Sequence, residues 1–227
     1  MFDESKPEWA SRREHLQGLL NDEDYAQARA SVLNAHYTHA QYVEAIWHSL
    51  AAHGLTSGHV LEPGCGAGTF IGLAPDSVAM TGVELDPTTS RIAHALYPNA
   101  EIRNEGYEKT PTTRLFDAAV GNVPFGDYAL YDPANNPGEH SIHNHFIIKA
   151  LSQTKPGGYV ALLTTHNTLD ARNPAARRDM HERADLLSAI RLPSNTSSPF
   201  SDTQVVADLL IFRVRKNGET PTPFTWE

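Results

Sequence analysis

The sequence predicts an α/β fold, a mostly parallel sheet covered on both faces by helices, and three observations carry that prediction. Short apolar segments bounded by Gly, Pro, Asn or Asp alternate with stretches of helical spacing along most of the chain. The first of these segments, His59-Val60-Leu61, breaks into a glycine-rich turn and re-enters a helical pattern. A later one, Phe116-Asp117-Ala118-Ala119-Val120-Gly121, ends at a polar residue, a proline and an aromatic ring, as a buried strand does where it meets a site.

Taken in order, residues 1–32 read as a peripheral helical arm, or the scar of a larger protein, with Trp9, Leu16, Leu19 and Leu20 as a short apolar stripe among charges. From 39 to 53, Tyr42, Val43, Ile46, Trp47 and Leu50 fall at helical spacing, and Gly54 ends the run. Strands are predicted near 59–62, 79–84, 100–103, 116–121, 158–165, 186–192 and 204–213, and helices at 68–74, 87–97, 142–154 and 174–184. The Ser, Asn, Thr and Pro content from Pro193 to Asp202 reads as a flexible loop. This divides the chain into an arm (1–32), one catalytic domain (33–216) and a tail (217–227). There is no internal repeat.

Composition narrows the class. A chain of 227 residues with 40% hydrophobic content and no long apolar run describes a soluble globular domain with one sizeable core and no membrane span. The acidic, polar start Met-Phe-Asp-Glu-Ser-Lys-Pro-Glu does not resemble a signal peptide, and a single cysteine fits a reducing cytoplasm. Cys65 is either a small residue that fits the glycine turn or a reactive thiol. The net charge of -9 argues against strong duplex binding, because affinity for phosphates comes from Lys and Arg. Arg172, Arg177, Arg178 and Arg183 cluster locally, with Arg191, Arg213, Arg215 and Lys216 further on; the first group is expected to form a solvated helix face.

Two stretches carry chemistry. In Glu62-Pro63-Gly64-Cys65-Gly66-Ala67-Gly68-Thr69-Phe70, glycines let backbone N–H groups approach a ligand closely. Eighteen residues beyond Gly66, the segment Met80-Thr81-Gly82-Val83-Glu84 ends in a carboxylate placed to accept hydrogen bonds from both hydroxyls of a ribose, so a nucleoside ligand is expected. In Asn122-Val123-Pro124-Phe125, the Asn offers a carbonyl oxygen, the Pro fixes the turn and the Phe supplies a flat apolar face for a planar substrate.

The order Glu-Pro-x-x-Gly-x-Gly-x-Phe, Gly-Val-Glu, Asn-x-Pro-Phe resembles S-adenosylmethionine-dependent methyltransferases that modify exocyclic amino groups, especially the DNA adenine-N6 enzymes. Their tetrad is Asn, Asp or Ser, then Pro-Pro, then Tyr, Phe or Trp; here Val123 replaces the first Pro but keeps the backbone carbonyl that the family uses. Asn34-Ala35-His36-Tyr37-Thr38 resembles the segment that packs over the methionine end of the cofactor in one subgroup. The resemblance covers about 34 to 213 and extends to methylase domains of phage- and plasmid-borne methylase-helicase proteins, in which Asn-Ile-Pro-Phe and Asn-Val-Pro-Phe variants of the tetrad occur; this suggests a role in evading restriction.

The resemblance implies a class I methyltransferase fold, Rossmann-like, with a seven-stranded sheet closed by an antiparallel hairpin. It implies S-adenosylmethionine as cofactor, held by His36, Tyr37, Thr38, Glu62, Pro63, Gly64, Cys65, Gly66, Gly68, Phe70, Glu84, Leu85 and Tyr107, with Asn122 at the junction with the catalytic tetrad Asn122, Val123, Pro124 and Phe125. Glu84 takes the ribose and Tyr107 the adenine; Gly106 stands where the family often has Asp, so an acidic contact would come from Glu105 or Glu108. The resemblance implies DNA as the partner, with its target adenine flipped into the pocket, and target choice supplied by loops, by a separate target-recognition or helicase partner, or by a further region of a longer polypeptide. His140, His143 and His145 are expected to begin a solvated helix rather than hold a metal; contact with substrate is the other reading. Competing functions are a protein glutamine N5-methyltransferase, which the acidic charge favours, and an RNA amino-group methyltransferase. A nicotinamide dehydrogenase would need Gly-x-Gly-x-x-Gly, whereas glycines here fall at 64, 66 and 68. A silent methyltransferase-like binding module is the non-enzymatic alternative.

Overall fold

The computed structural model describes residues 7–32, 38–193 and 206–226. Seven strands form one sheet: β1 (Gly58–Pro63), β2 (Val78–Glu84), β3 (Glu101–Asn104), β4 (Phe116–Asn122), β5 (Thr154–Thr165), β6 (Ala184–Arg191) and β7 (Ala207–Val214), in the order β3-β2-β1-β4-β5-β7-β6. The first five are parallel neighbours, and β7 lies antiparallel between β5 and β6. The order reverses between β1 and β4, where a crevice opens at the carboxyl ends of the strands.

Strict alternation along the central strands explains why both faces must be covered. Leu61, Ala119, Val160, Leu162, Leu210 and Phe212 point to one side, where they join Ile147, Ile148 and Leu151 of α6 (Ile142–Ser152) and Met180 of α8 (Ala175–Arg183). Val60, Ala118, Val120, Ala161, Leu163 and Ile211 point to the other, against Val43, Ile46, Trp47 and Leu50 of α3 (Ala40–Ala52). His39 caps α3 by accepting from the Gln41 amide, and Gly54 just beyond its end takes a positive φ of 105°. Asp86 caps α5 (Pro87–Leu96) through the Thr89 amide.

Element boundaries moved where pairing overrode local propensity. β5 begins at Thr154, four residues before the expected start, because Thr154 pairs with Phe116 across an irregularity that absorbs Pro156 and Gly157. The helix after the glycine loop is a single turn, α4 (Thr69–Gly72), since Leu73 leaves helical geometry ahead of Pro75. In the N-terminal arm, α1 (Ala10–Leu19) buries no residue, and α2 (Asp22–Val32) is tied to α5 by the Asp24 to Arg91 ion pair at 2.9 Å. In the tail, the Phe224 ring stacks on His181 and Trp226 packs against Phe212. The expected loop from Pro193 to Asp202 lies, beyond Pro193, outside the described residues. Among the described residues no helix is long and apolar enough to cross a membrane.

Two sequence expectations are corrected by burial. The run beginning at His140 does not start a solvated helix: Ile142 to Leu151 are all buried, His145 completely. Its imidazoles diverge, His140 to Asp179, His143 to the Gly126 carbonyl and Ser141, and His145 to Asp132. Likewise Arg177 is not on a solvated face; it is buried, and its guanidinium donates to the Thr168 and Ala171 carbonyls at the end of α7 (Asn167–Asp170). Further on, Arg191 pairs with Asp208 and Asp170, Arg213 with Glu219 and Arg215 with Asp185. Much of the basic character noted in the sequence is thereby neutralised internally.

Candidate active site

A cavity of about 570 Å³ opens at the carboxyl edge of the sheet, in the size range of small-molecule sites. Its floor is the turn after β1. Gly64, Gly66 and Gly68 all have positive φ (70°, 54° and 86°), a path that L side chains resist. The Cys65 amide donates to the Val83 carbonyl and the Gly66 amide to Glu84 Oε2 at 2.8 Å, so the turn is pinned to the end of β2. The other Glu84 oxygen accepts from the Asp86 amide at 2.8 Å.

The loop lies low because Gly82, beneath it in β2, has no side chain. A Cβ there would stand 2.7 Å from Cys65 Sγ and 3.0 Å from Ile71 Cδ1. Gly82→Val is therefore expected to lift the loop, lower stability by about 1–3 kcal/mol and weaken ligand binding in the cavity. Thermal melts and titrations compared with the Gly82→Val/Cys65→Ala double variant check this, since the smaller residue at 65 should restore part of both. Cys65 fills the space above Gly82: its thiol is buried, and burial pushes its pKa well up, away from the range of a reactive thiolate.

Glu62, the last buried carboxylate of β1, lies over Gly121 of β4, whose absent Cβ would be 3.4 Å from Glu62 Cγ. The backbone amides of Ile71 and Phe70 pull its pKa down, and its Oε2 atom has no hydrogen-bond partner among the described residues. Burial, more than the neighbouring Glu84 charge, drives its pKa well above the usual carboxylate range. Burial also raises Glu84, against the pull of its backbone hydrogen bonds.

The tetrad follows at the end of β4. Asn122 pairs in register with Leu163, and the Val123 amide donates to the Leu163 carbonyl at 3.0 Å, which fixes the peptide on which the site depends. The Val123 side chain is buried in the core, whereas Asn122, Pro124 and Phe125 are half-buried and face the cavity. A Cβ on Gly64 would lie 3.8 Å from Pro124, so the glycine turn and the tetrad are neighbours.

All the sequence-selected residues that can be placed come to this edge, with two exceptions. Thr38, Glu62, Gly64, Cys65, Gly66, Phe70, Glu84, Leu85, Tyr107, Asn122, Val123, Pro124 and Phe125 line the cavity. Pro63 and Gly68 do not reach it: Pro63 is buried in strand pairing with Val83, and Gly68 caps α4 beneath the Tyr97 ring. His36 and Tyr37 lie outside the described residues. Tyr107 both packs and lines: its hydroxyl donates to Gln153 Oε1 at 2.6 Å while its ring forms cavity wall, with Glu105 and Glu108 beside it. Sequence reasoning missed Tyr128, Leu130, Ile142 and Phe146, which complete the wall on the tetrad side. Their signal was weak, because they sit in a loop and a helix start whose course depends on distant partners.

This is the fold of the class I S-adenosylmethionine-dependent methyltransferases. A Listeria monocytogenes protein assigned to that class superposes with a TM-score of 0.67 at 17% identity, over 82% of this chain and 63% of that one. The M protein of the type I restriction enzyme EcoKI matches with a TM-score of 0.63 at 21% identity, over 78% of this chain and 44% of the other. In sequence, the chain is 28% identical over 188 residues to the Defense against restriction protein B of Escherichia phage P1, a match covering 80% of this chain. It spans only 8% of the length of that relative. No known family profile matches the chain.

Proposed function

We propose that the chain is an S-adenosylmethionine-dependent methyltransferase acting on the N6 amino group of adenine in DNA. The observation that carries this is the meeting, in one cavity, of a glycine turn locked to Glu84 with the tetrad Asn122 to Phe125. The cavity fits the cofactor in kind. Glu84 offers carboxylate oxygens for two ribose hydroxyls, Tyr107 an aromatic wall for the adenine, and the unpartnered Glu62 oxygen a counter-charge for a cation. S-adenosylmethionine, when bound, supplies an electrophilic methyl group on a positively charged sulfur.

The residues of the tetrad do the rest by positioning. An adenine amino nitrogen is a poor nucleophile because its lone pair is delocalised into the ring. Acceptance of its two hydrogens by Asn122 Oδ1 and the Val123 carbonyl draws it toward tetrahedral geometry and turns the lone pair outward. No general base is required before transfer, because the nitrogen becomes positively charged as it takes the methyl group and then gives up one of its two hydrogens as a proton to solvent. Phe125 stacks on the extruded base, returning roughly 1–3 kcal/mol against a similar unstacking cost. The likeness to type I restriction-modification proteins and to a phage defence protein supports a DNA acceptor and a role in evading restriction, with target recognition supplied by another region or partner in the cytoplasm. A protein carboxamide acceptor is the second reading, favoured by the net charge of -9.

Calorimetric titration with S-adenosylmethionine, followed by transfer of a labelled methyl group to DNA, RNA and protein offered in parallel, tests the proposal. Saturable one-to-one binding with label on adenine N6 is expected. Binding with label on protein or RNA would replace the acceptor, and no binding would remove the enzymatic reading.

A further inference from the structure

Between the tetrad and α6 the chain makes an excursion from Gly126 to Ser141 without helix or strand, closed at its base where the Ile142 amide donates to the Tyr128 carbonyl. Tyr128 and Leu130 on this excursion form cavity wall. Asp132, two residues on, turns inward and is 7% exposed. Its Oδ2 accepts from Lys149 Nζ at 2.8 Å and from His145 Nε2 at 3.0 Å, and its Oδ1 from the Asn135 side chain at 3.0 Å. Burial would raise the Asp132 carboxyl, but these hydrogen bonds outweigh it and hold its pKa at about 2. Burial lowers the His145 pKa against the pull of Asp132, and its Nε2 faces the carboxylate.

Lys149 is 1% exposed and does not touch the cavity, yet its ammonium reaches a second wall. It donates to the Glu108 carbonyl at 2.8 Å and stands 5.3 Å from the centre of the Tyr107 ring. Tyr107 and Glu108 belong to the short turn Tyr107–Lys109 on the cofactor side. One buried cation therefore joins the turn that would face the cofactor to the loop that would face the acceptor. A buried ion pair adds little net stability over apolar packing but fixes one arrangement of the groups it joins.

We propose that Lys149 is a positioning residue that couples the two halves of the site, so that a ligand seated against Tyr107 and Glu108 also orders the acceptor wall at Tyr128 and Leu130. The assignment of the halves rests on the reading under Proposed function. The bridge itself does not.

Hydrogen exchange on the purified chain tests both. Without ligand, Lys149→Met is expected to speed exchange about tenfold in segments 106–110 and 126–141 together, with β1, β4 and β5 unchanged. Asp132→Asn, the milder variant should Lys149→Met fail to fold, loosens only 126–141. Adding S-adenosylmethionine protects 126–141 in the parent chain but not in Asp132→Asn, although the cofactor still binds. Faster exchange in only one segment of Lys149→Met, or cofactor protection of the loop that survives Asp132→Asn, overturns the coupling. If the parent chain binds no S-adenosylmethionine, the cofactor reading falls, and the bridge is judged on the ligand-free exchange alone.

Discussion

Asn122→Ala is expected to lower methyl transfer by about 10²-fold or more while leaving S-adenosylmethionine binding nearly intact. The side chain stands at the end of β4, half-buried and facing the cavity, and the backbone beneath it is held by pairing with Leu163. Removing it therefore leaves the turn of Pro124 in place and withdraws one of the two acceptors that reshape the amino group. Because that interaction strengthens as the nitrogen becomes tetrahedral, the loss falls on kcat. Phe125→Ala gives the complementary result: the stacking platform is lost, acceptor KM rises, and cofactor binding is again nearly intact. Single-turnover transfer beside calorimetry separates the two. Unchanged turnover in Asn122→Ala would sink the mechanism.

How far the sequence reveals this site depends on the range of the forces involved. The strand pattern was legible because alternation of Val60 with Leu61, or Val160 with Ala161, is decided locally by which face each residue meets. The glycine turn was legible for the same reason, since positive φ at Gly64, Gly66 and Gly68 is a local demand. The Asp132, His145 and Lys149 cluster was not. In a linear reading, charged residues mark solvent, and only a partner 17 residues away makes Lys149 a core residue. Arg177 escaped for a similar reason: its partners are carbonyls of a turn that pattern reasoning did not anticipate. The burial of His143 and His145 follows from α6 lying wholly inside, packed by β5 on one side and α8 on another, a tertiary fact with no period in the sequence. Pro63 and Gly68 illustrate the opposite case: their residue types fit a ligand loop, but each answers a demand of the backbone.

Glu62→Gln separates what the fold prefers from what the site requires. Glu62 is 3% exposed, its Oε2 atom has no partner among the described residues, and its pKa is raised by burial and by Glu84. A carboxyl whose pKa is higher folded than unfolded contributes stability below the unfolded value and loses it as pH rises through the folded one. Gln mimics the protonated acid at every pH. The variant is therefore expected to match the parent near pH 4 and to melt higher at neutral pH, by about 1–3 kcal/mol, with the gap opening as pH rises. Cofactor binding should move the other way. A sulfonium and an ammonium favour the charged carboxylate, so the parent releases a proton on binding and gains affinity with pH, while Glu62→Gln binds more weakly and loses that dependence. Melting curves across pH, with calorimetry in buffers of different ionisation enthalpy, measure both trends. Parent and variant curves that stay parallel across pH would show that Glu62 ionises as an ordinary carboxylate, already charged in the cavity at neutral pH, and would overturn both its raised pKa and the proton release on binding.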